Sequence, residues 1–195
     1  MCGIWNDGWG HQQGTYTAEG ITAIADALRV NGALTKLSLA SNYLKEEGTK
    51  AICEALKQNK TLKELDLSDN NIGRGAAGAK HVADMLGVNG ALTALNLSSN
   101  EIGGHWVVSM QQQVSTREGP KAIADALLVN GGLTALDLSY NRLEDEGVSA
   151  VCKAIQNNKE TKLASLNFKK NGIGPVGANA VAAMVAVTGA QTKIN

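Results

Sequence analysis

The sequence predicts an α/β solenoid, in which short parallel strands line a concave face and helices cover the convex face. Three observations predict it: a leucine pattern that occurs five times, a helical pattern between occurrences, and spacings of 28, 30, 41 and 30 residues. One strand with one short helix cannot bury its own apolar faces, so neighbouring units must stack. Strand–helix–strand connections of this kind favour a right-handed path.

Each strand is predicted by the pattern LxxLxLxxNxL. Its alternating apolar residues, such as Leu37 and Leu39, are expected to point from the strand into the core. The asparagine at the fixed offset is expected to turn inward, be buried, and bond backbone groups where the chain leaves the strand. The pattern begins at Leu34, Leu62, Leu92, Leu133 and Leu163, and its asparagines are Asn42, Asn70, Asn100, Asn141 and Asn171.

The segments between the strands are predicted to be short amphipathic helices. In GTKAICEALKQNK, for example, Ile52, Ala55 and Leu56 recur at helical spacing. Most of these segments end at Asn or Gly, which predicts a left-handed residue at the helix end. The helices therefore form the outer layer of the solenoid.

A longer period of 99 residues is superimposed on the short one. Cys53 aligns with Cys152, and Val82 aligns with Val181, so we interpret the chain as a duplicated block of three repeats. Each block opens with an irregular segment, and we predict that these segments, residues 1–16 and 103–117, are β-hairpins on one rim. The whole chain, 1–195, is expected to form one domain.

With these five leucine patterns and long helical segments, the sequence resembles the leucine-rich repeat proteins of the ribonuclease-inhibitor subfamily. That group includes the repeat domains of NOD-like receptors and the Ran GTPase-activating protein. The resemblance covers residues 17–195. It implies a horseshoe-shaped solenoid whose partner is another protein.

Composition and charge argue against several classes of function. Lys plus Arg and Asp plus Glu each number 18, and without a basic stripe nucleic-acid binding is not expected. Apolar stretches are too short for a membrane span and no signal peptide is recognisable, so we expect an intracellular, cytoplasmic protein without membrane insertion. The three cysteines form no CxxC pair, which argues against a zinc site.

No catalytic or cofactor-binding constellation is predicted. The segments 73–78 and 172–177 match the dinucleotide pattern GxGxxG, but they are equivalent turns of the two blocks. In the first of them, Asn96 lies where an acidic ribose-binding residue would be needed. The three histidines lie away from Cys and acidic residues at ligand spacing. We therefore expect no enzyme activity, no cofactor and no metal.

Two surfaces are candidates for binding a partner protein. The concave face is small, polar and mildly acidic, so it either binds weakly or takes a basic partner at Glu64, Asp66 and Asp137. The hairpins hold most of the aromatic residues, and their tryptophans either contact a partner or pin the hairpins onto the repeats. The concave candidates are Lys36, Glu64, Asp66, Asn96, Asp137 and Asn167, and the hairpin candidates are Trp5, Trp9, Tyr16 and Trp106.

The function predicted from these observations is that of a non-catalytic scaffold for protein–protein interaction. Two alternatives stay open. By fold analogy with the Ran GTPase-activating protein, the chain is a regulator of a small GTPase; otherwise it is a structural subunit or fragment of a larger assembly. Neither end of the array has a recognisable polar cap, so we also expect end-to-end or assembly contacts at the ends.

Overall fold

The computed structural model describes residues 5–6, 12–13, 18–74, 76–107, 109, 111–188 and 193–194. Its helices are α1 (Glu19–Val30), α2 (Lys45–Gln58), α3 (Ala77–Leu86), α4 (Glu118–Leu127), α5 (Glu144–Asn157) and α6 (Pro175–Thr188). Its strands are β1 (Trp5–Asn6), β2 (Gln12–Gln13), β3 (Lys36–Ser38), β4 (Glu64–Asp66), β5 (Ala94–Asn96), β6 (Gly104–Val107), β7 (Gln112–Ser115), β8 (Ala135–Asp137), β9 (Ser165–Asn167) and β10 (Lys193–Ile194).

One parallel sheet runs through the molecule in the order β3-β4-β5-β8-β9-β10. Its register aligns the leucine at the centre of each three-residue strand, for example Leu65 with Leu95 and Leu95 with Leu136. The predicted α/β solenoid is confirmed, with all five strands present and a short sixth strand, β10, paired to β9. The sheet strands β3, β4, β8 and β9 are each followed directly by a helix, and β5 is followed by the β6–β7 strand pair and then α4, so these five repeats each contribute one sheet strand and one helix.

The core lies between the sheet and the row of helices. Leu65 and Leu67 are buried from the strand side, and Ile52, Ala55 and Leu56 of α2 are fully buried from the helix side, as predicted. Each of the helices α2 to α5 packs against the preceding and the following helix, while α1 packs against α2 and α6 packs against α5. The core is therefore continuous along the stack, and each repeat depends on its neighbours to bury its apolar groups.

The prediction of a left-handed residue at the helix ends is wrong for α1 to α5. Asn31, Asn59 and Asn158 follow α1, α2 and α5 with φ of −76°, −73° and −87°, in extended conformation. Gly87 and Leu128 follow α3 and α4 with φ of −63° and −61°, in right-handed helical conformation. Left-handed residues lie instead at the strand-to-helix corners, where Asp69 (φ 54°) and Asn71 (φ 57°) flank the buried Asn70. The tight reversal of the chain is thus made after the strand, because the asparagine must point inward there.

The two predicted hairpin regions contain antiparallel strand pairs. β6 pairs with β7, and β1 pairs with β2. The β6–β7 hairpin leaves the array just after Gly103, and the Thr116 N–H closes its base on the Gly103 carbonyl at 2.9 Å. Gly104 has a φ of 151°, and a Cβ there would lie 2.4 Å from the Val114 carbonyl oxygen, so the hairpin requires glycine at this position.

Candidate functional site

A groove of about 400 Å³ runs along the concave face of the sheet. It is formed by the side chains that alternate with the core leucines, and these are short except for Lys36 of β3 and Glu64 of β4. The sequence-predicted concave residues come together in it. They are Lys36 from β3, Glu64 and Asp66 from β4, Asn96 from β5, Asp137 from β8 and Asn167 from β9.

Four of these groove residues also hold the ends of their strands, a role that the sequence analysis missed. In each, the side-chain Oδ1 accepts a hydrogen bond from the backbone two residues later, which is an Asx turn. The N–H groups of Ser68, Ser98, Ser139 and Lys169 donate to the Oδ1 atoms of Asp66, Asn96, Asp137 and Asn167, at 3.0, 2.9, 2.8 and 3.0 Å. Only the second polar atom of each side chain therefore faces the groove.

The acidic residues of the groove differ in whether a cation neutralises them. Lys36 Nζ lies 2.7 Å from Glu64 Oε2, and the hydrogen bond with Glu64 raises the pKa of Lys36. Among the ion pairs of the described residues, none involves Asp66 or Asp137. Asp137 Oδ2 accepts only the Asn167 amide, at 2.8 Å. Two half-buried carboxylates thus give the groove its negative charge.

The predicted asparagine ladder lies at the edge of the groove where the strands end. Asn70, Asn100, Asn141 and Asn171 are at most 1% exposed, which confirms the prediction for them. Asn100 Nδ2 donates to the carbonyls of Leu67, Leu97 and Ser98, and its Oδ1 accepts from the N–H groups of Asn70 and Ile72. Each rung therefore joins its own repeat to the preceding one.

For Asn42, the first rung, the prediction of burial is wrong. Asn42 is only half-buried, and its Nδ2 donates to the Ala40 carbonyl at 2.8 Å, within its own repeat. Asn42 follows β3, which is the edge strand of the described parallel sheet, so among the described residues no preceding sheet strand supplies the second set of carbonyls.

A second asparagine ladder, which the sequence analysis did not recognise, joins the helix ends. Asn89 Nδ2 donates to the carbonyls of Leu56 and Asn59, and its Oδ1 accepts from the N–H groups of Ala91 and Leu92. The signal is present in the sequence, since the asparagines lie three residues before the first leucine of each pattern, except Asn158, which lies five before it. The rungs are Asn31, Asn59, Asn89, Asn130 and Asn158.

The aromatic hairpin candidates cannot be placed as a binding site. Trp9 and Tyr16 lie outside the described residues. Trp5 and Trp106 are described as backbone positions of β1 and β6, and their side chains also lie outside the description. Contact of these residues with a partner stays a prediction.

The glycine-rich turns are explained by packing and by an internal carboxylate. A Cβ on Gly78 would lie 2.2 Å from the carbonyl oxygen of Ile72, which lies in the segment between β4 and α3, so this close approach requires glycine. At the second turn, Asp145 Oδ1 accepts from the N–H groups of Gly174 and Gly177, at 2.6 and 2.9 Å. The Asp145 carboxylate thus occupies the position at the start of α6 where a bound phosphate or other external anion would otherwise lie.

The cysteines of the helices are structural. Burial raises the pKa of the Cys53 thiol to about 12 and that of the Cys152 thiol to about 11, so both stay protonated at neutral pH. In the part of the chain that the structure describes, no group of three or more His, Cys, Asp or Glu is placed to hold a metal ion.

Comparison with known proteins agrees with the fold. A family profile described as "Leucine Rich repeat" matches residues 58–78, 91–104, 133–152 and 159–182. A structure of leiomodin-1 actin-binding site 2 is 22% identical with a TM-score of 0.63, covering 83% of this chain and 85% of that one. The tropomodulin C-terminal domain of Caenorhabditis elegans is 15% identical with a TM-score of 0.63, covering 85% and 91%. No curated protein matches.

These findings define the class of protein. The fold is a leucine-rich-repeat solenoid, and the profile matches the repeats that the leucine pattern predicts. The similar structures are under 25% identical, so they support the fold alone. Within the described residues, no helix has the length and apolar character needed to cross a membrane.

Proposed function

We infer that this protein is a binding scaffold whose concave groove holds a basic segment of a partner protein. The observation that carries the proposal is the pair of carboxylates, Asp66 and Asp137, to which no described cation is paired. A groove lined by one sign of charge attracts segments of the opposite sign and orients them. Its short side chains also leave room for the long Lys and Arg side chains of such a partner.

The finer class and the first partner to test follow from the comparisons. Each complete repeat carries a helix of 10 to 14 residues, which supports the ribonuclease-inhibitor type of leucine-rich repeat. The leiomodin-1 structure is named as an actin-binding site. Purified actin is therefore a suitable first candidate, beside proteins captured from cell extract.

The experiment exchanges Asp and Asn, because equivalent positions of the groove already hold one or the other. Asn96 and Asn167 make the same Asx turn as Asp66 and Asp137. The substitution Asp66→Asn therefore removes one charge while keeping its turn, whereas at Asp137 the new amide nitrogen would face the Asn167 amide, which also donates. We expect Asp66→Asn to weaken partner binding by about tenfold or more, since a charge-assisted contact contributes about 1.5 to 3 kcal/mol, with an unchanged denaturation midpoint.

The matched control adds charge at the equivalent position of the neighbouring strand. Asn96→Asp also keeps the Asx acceptor, and we expect this variant to bind the partner more tightly. Binding is measured by calorimetry at low and high salt, because attraction between charges is screened by salt. If the parent chain, the variant with less charge and the variant with more charge all bind the captured partner with equal affinity, the proposal is contradicted. The hairpins would then be the next surface to test.

A further inference from the structure

The 99-residue duplication makes each end of the array equivalent to one side of a junction in its middle. Block one ends with α3 and β5, and block two begins with the β6–β7 hairpin and α4. By the same offset α6 is equivalent to α3, and α1 is equivalent to α4. The α3–α4 packing is thus an internal example of how the last helix of a block meets the first helix of the next.

At the C-terminal end, α6 exposes the face that α3 buries. Ala79, Val82 and Leu86 of α3 are at most 1% exposed. Their equivalents in α6 are Ala178, which is exposed, and Val181 and Val185, which are half-buried. Both helices have a preceding neighbour, so what differs is the following helix. An apolar helix face normally lies against another element, and this one has none in the described chain.

At the N-terminal end, α1 exposes the complementary face. Ile123 and Ala126 of α4 are buried against the array, whereas their equivalents Ile24 and Ala27 are half-buried and exposed. The side-chain amides follow the same rule. Asn130 Nδ2 donates to the Leu86 carbonyl at 2.8 Å. The equivalent Asn31 is exposed, and its Oδ1 accepts hydrogen bonds from the N–H groups of Ala33 and Leu34 in the segment that follows it.

We propose that α6 of one molecule docks on α1 of a second copy, so that the protein associates head to tail. The occupant follows from the molecule itself, because the two open faces have almost the same residues as the two halves of the α3–α4 junction. Pairing them would bury Ala178 and Val181 against Ile24 and Ala27. It would also align β10 with β3 of the second copy in the register by which β5 pairs with β8. Such a contact is heterologous and can extend to a third copy.

The first test is sedimentation of the 195-residue chain over a concentration series. We expect the average mass to rise above the 20.3 kDa of one chain as concentration increases. Ala178→Glu should abolish the rise, since it would bury an unpaired carboxylate in the contact. The matched control is Ala183→Glu on the same helix. Its equivalent, Asp84, stays exposed at the internal junction, so this variant should associate as the parent does.

The second test establishes direction. Ala27→Glu should block the α1 face, as Ala178→Glu blocks the α6 face. Each variant alone should remain a monomer, but the two mixed should form a dimer of twice the chain mass, because each retains the face that the other lacks. Both substituted positions are exposed in the single chain, so circular dichroism should show both variants folded.

One further variant should strengthen the contact. At the internal junction Lys80 Nζ lies 2.7 Å from Glu118 Oε2, and the equivalent residues at the ends are Asn179 and Glu19. Asn179→Lys should restore this ion pair between copies and tighten association about twofold, as exposed pairs do. A parent chain that stays monomeric throughout the concentration series, association that persists in Ala178→Glu, or a variant mixture that stays monomeric would overturn the proposal.

Discussion

The middle repeats and the first repeat share a sequence pattern but differ in what that pattern can bond. The Asn100 side chain is fully buried and makes five hydrogen bonds, three of which cross to the preceding repeat. Asn42 occupies the same position in its own pattern, yet it is half-buried and its amide donates within one repeat. The comparison teaches that burial of a residue in this fold is decided by the neighbouring repeat as much as by the residue itself.

The largest effect is expected from breaking a rung in the middle of the ladder. Asn100→Ala should lower the free energy of unfolding by about 3 kcal/mol, because several buried backbone groups lose their partner at once. Asn42→Ala should lower it by less than about 1 kcal/mol, because the amide lost there serves one partly exposed carbonyl. Urea denaturation of both variants measures the difference, and equal losses would mean that position in the stack does not matter.

A smaller effect is expected from filling the space between repeats. A Cβ on Gly73 would lie 2.3 Å from Ile102 Cα of the next repeat, whereas a Cβ on Gly32 meets nothing within 4 Å. Gly73→Ala should therefore cost about 2 kcal/mol through displacement of backbone. Gly32→Ala should stay within about 0.5 kcal/mol of the parent. Thermal denaturation distinguishes them, and a neutral Gly73→Ala would show that adjacent repeats separate easily.

Sequence reasoning captured the strands, since leucines at fixed offsets such as Leu65 and Leu67 allow only one face to be buried. Sequence reasoning also predicted that the groove residues share one face, because the side chains between those leucines must point to the opposite side of the sheet. It missed the second ladder because Asn59 and Asn89 were interpreted as local caps, although they bond the preceding repeat. The partial exposure of Asn42 depends on the repeats that lie beside it, and the leucine pattern of one repeat carries no information about its neighbours.

The pH dependence of stability should depend on the two buried thiols. Cys53 and Cys152 lie in α2 and α5, which have neighbouring helices on both sides, and their pKa values are raised from 9.0 to about 12 and about 11. As pH rises above 9, the unfolded chain loses these protons before the folded chain does. The stability that is full below pH 9 should therefore decline, by up to about 1.4 kcal/mol per pH unit for each thiol.

Replacing both thiols isolates this contribution. The equivalent position holds alanine in the end repeats, at Ala25 and Ala182, so Cys53→Ala and Cys152→Ala suit the fold. Urea denaturation at pH 8, 9 and 10 should show a shallower decline for the double variant than for the parent. Parallel declines would mean that the thiols ionise as readily in the folded chain as in the unfolded one.

Amide hydrogen exchange tests most directly the claim that the following repeat determines how well a helix is held. At low protein concentration, the amides of α3, residues 77–86, should exchange much more slowly than the equivalent amides of α6, residues 176–185. As concentration rises, α6 should gain protection while α3 stays unchanged. Equal protection of the two helices in dilute solution would contradict the account.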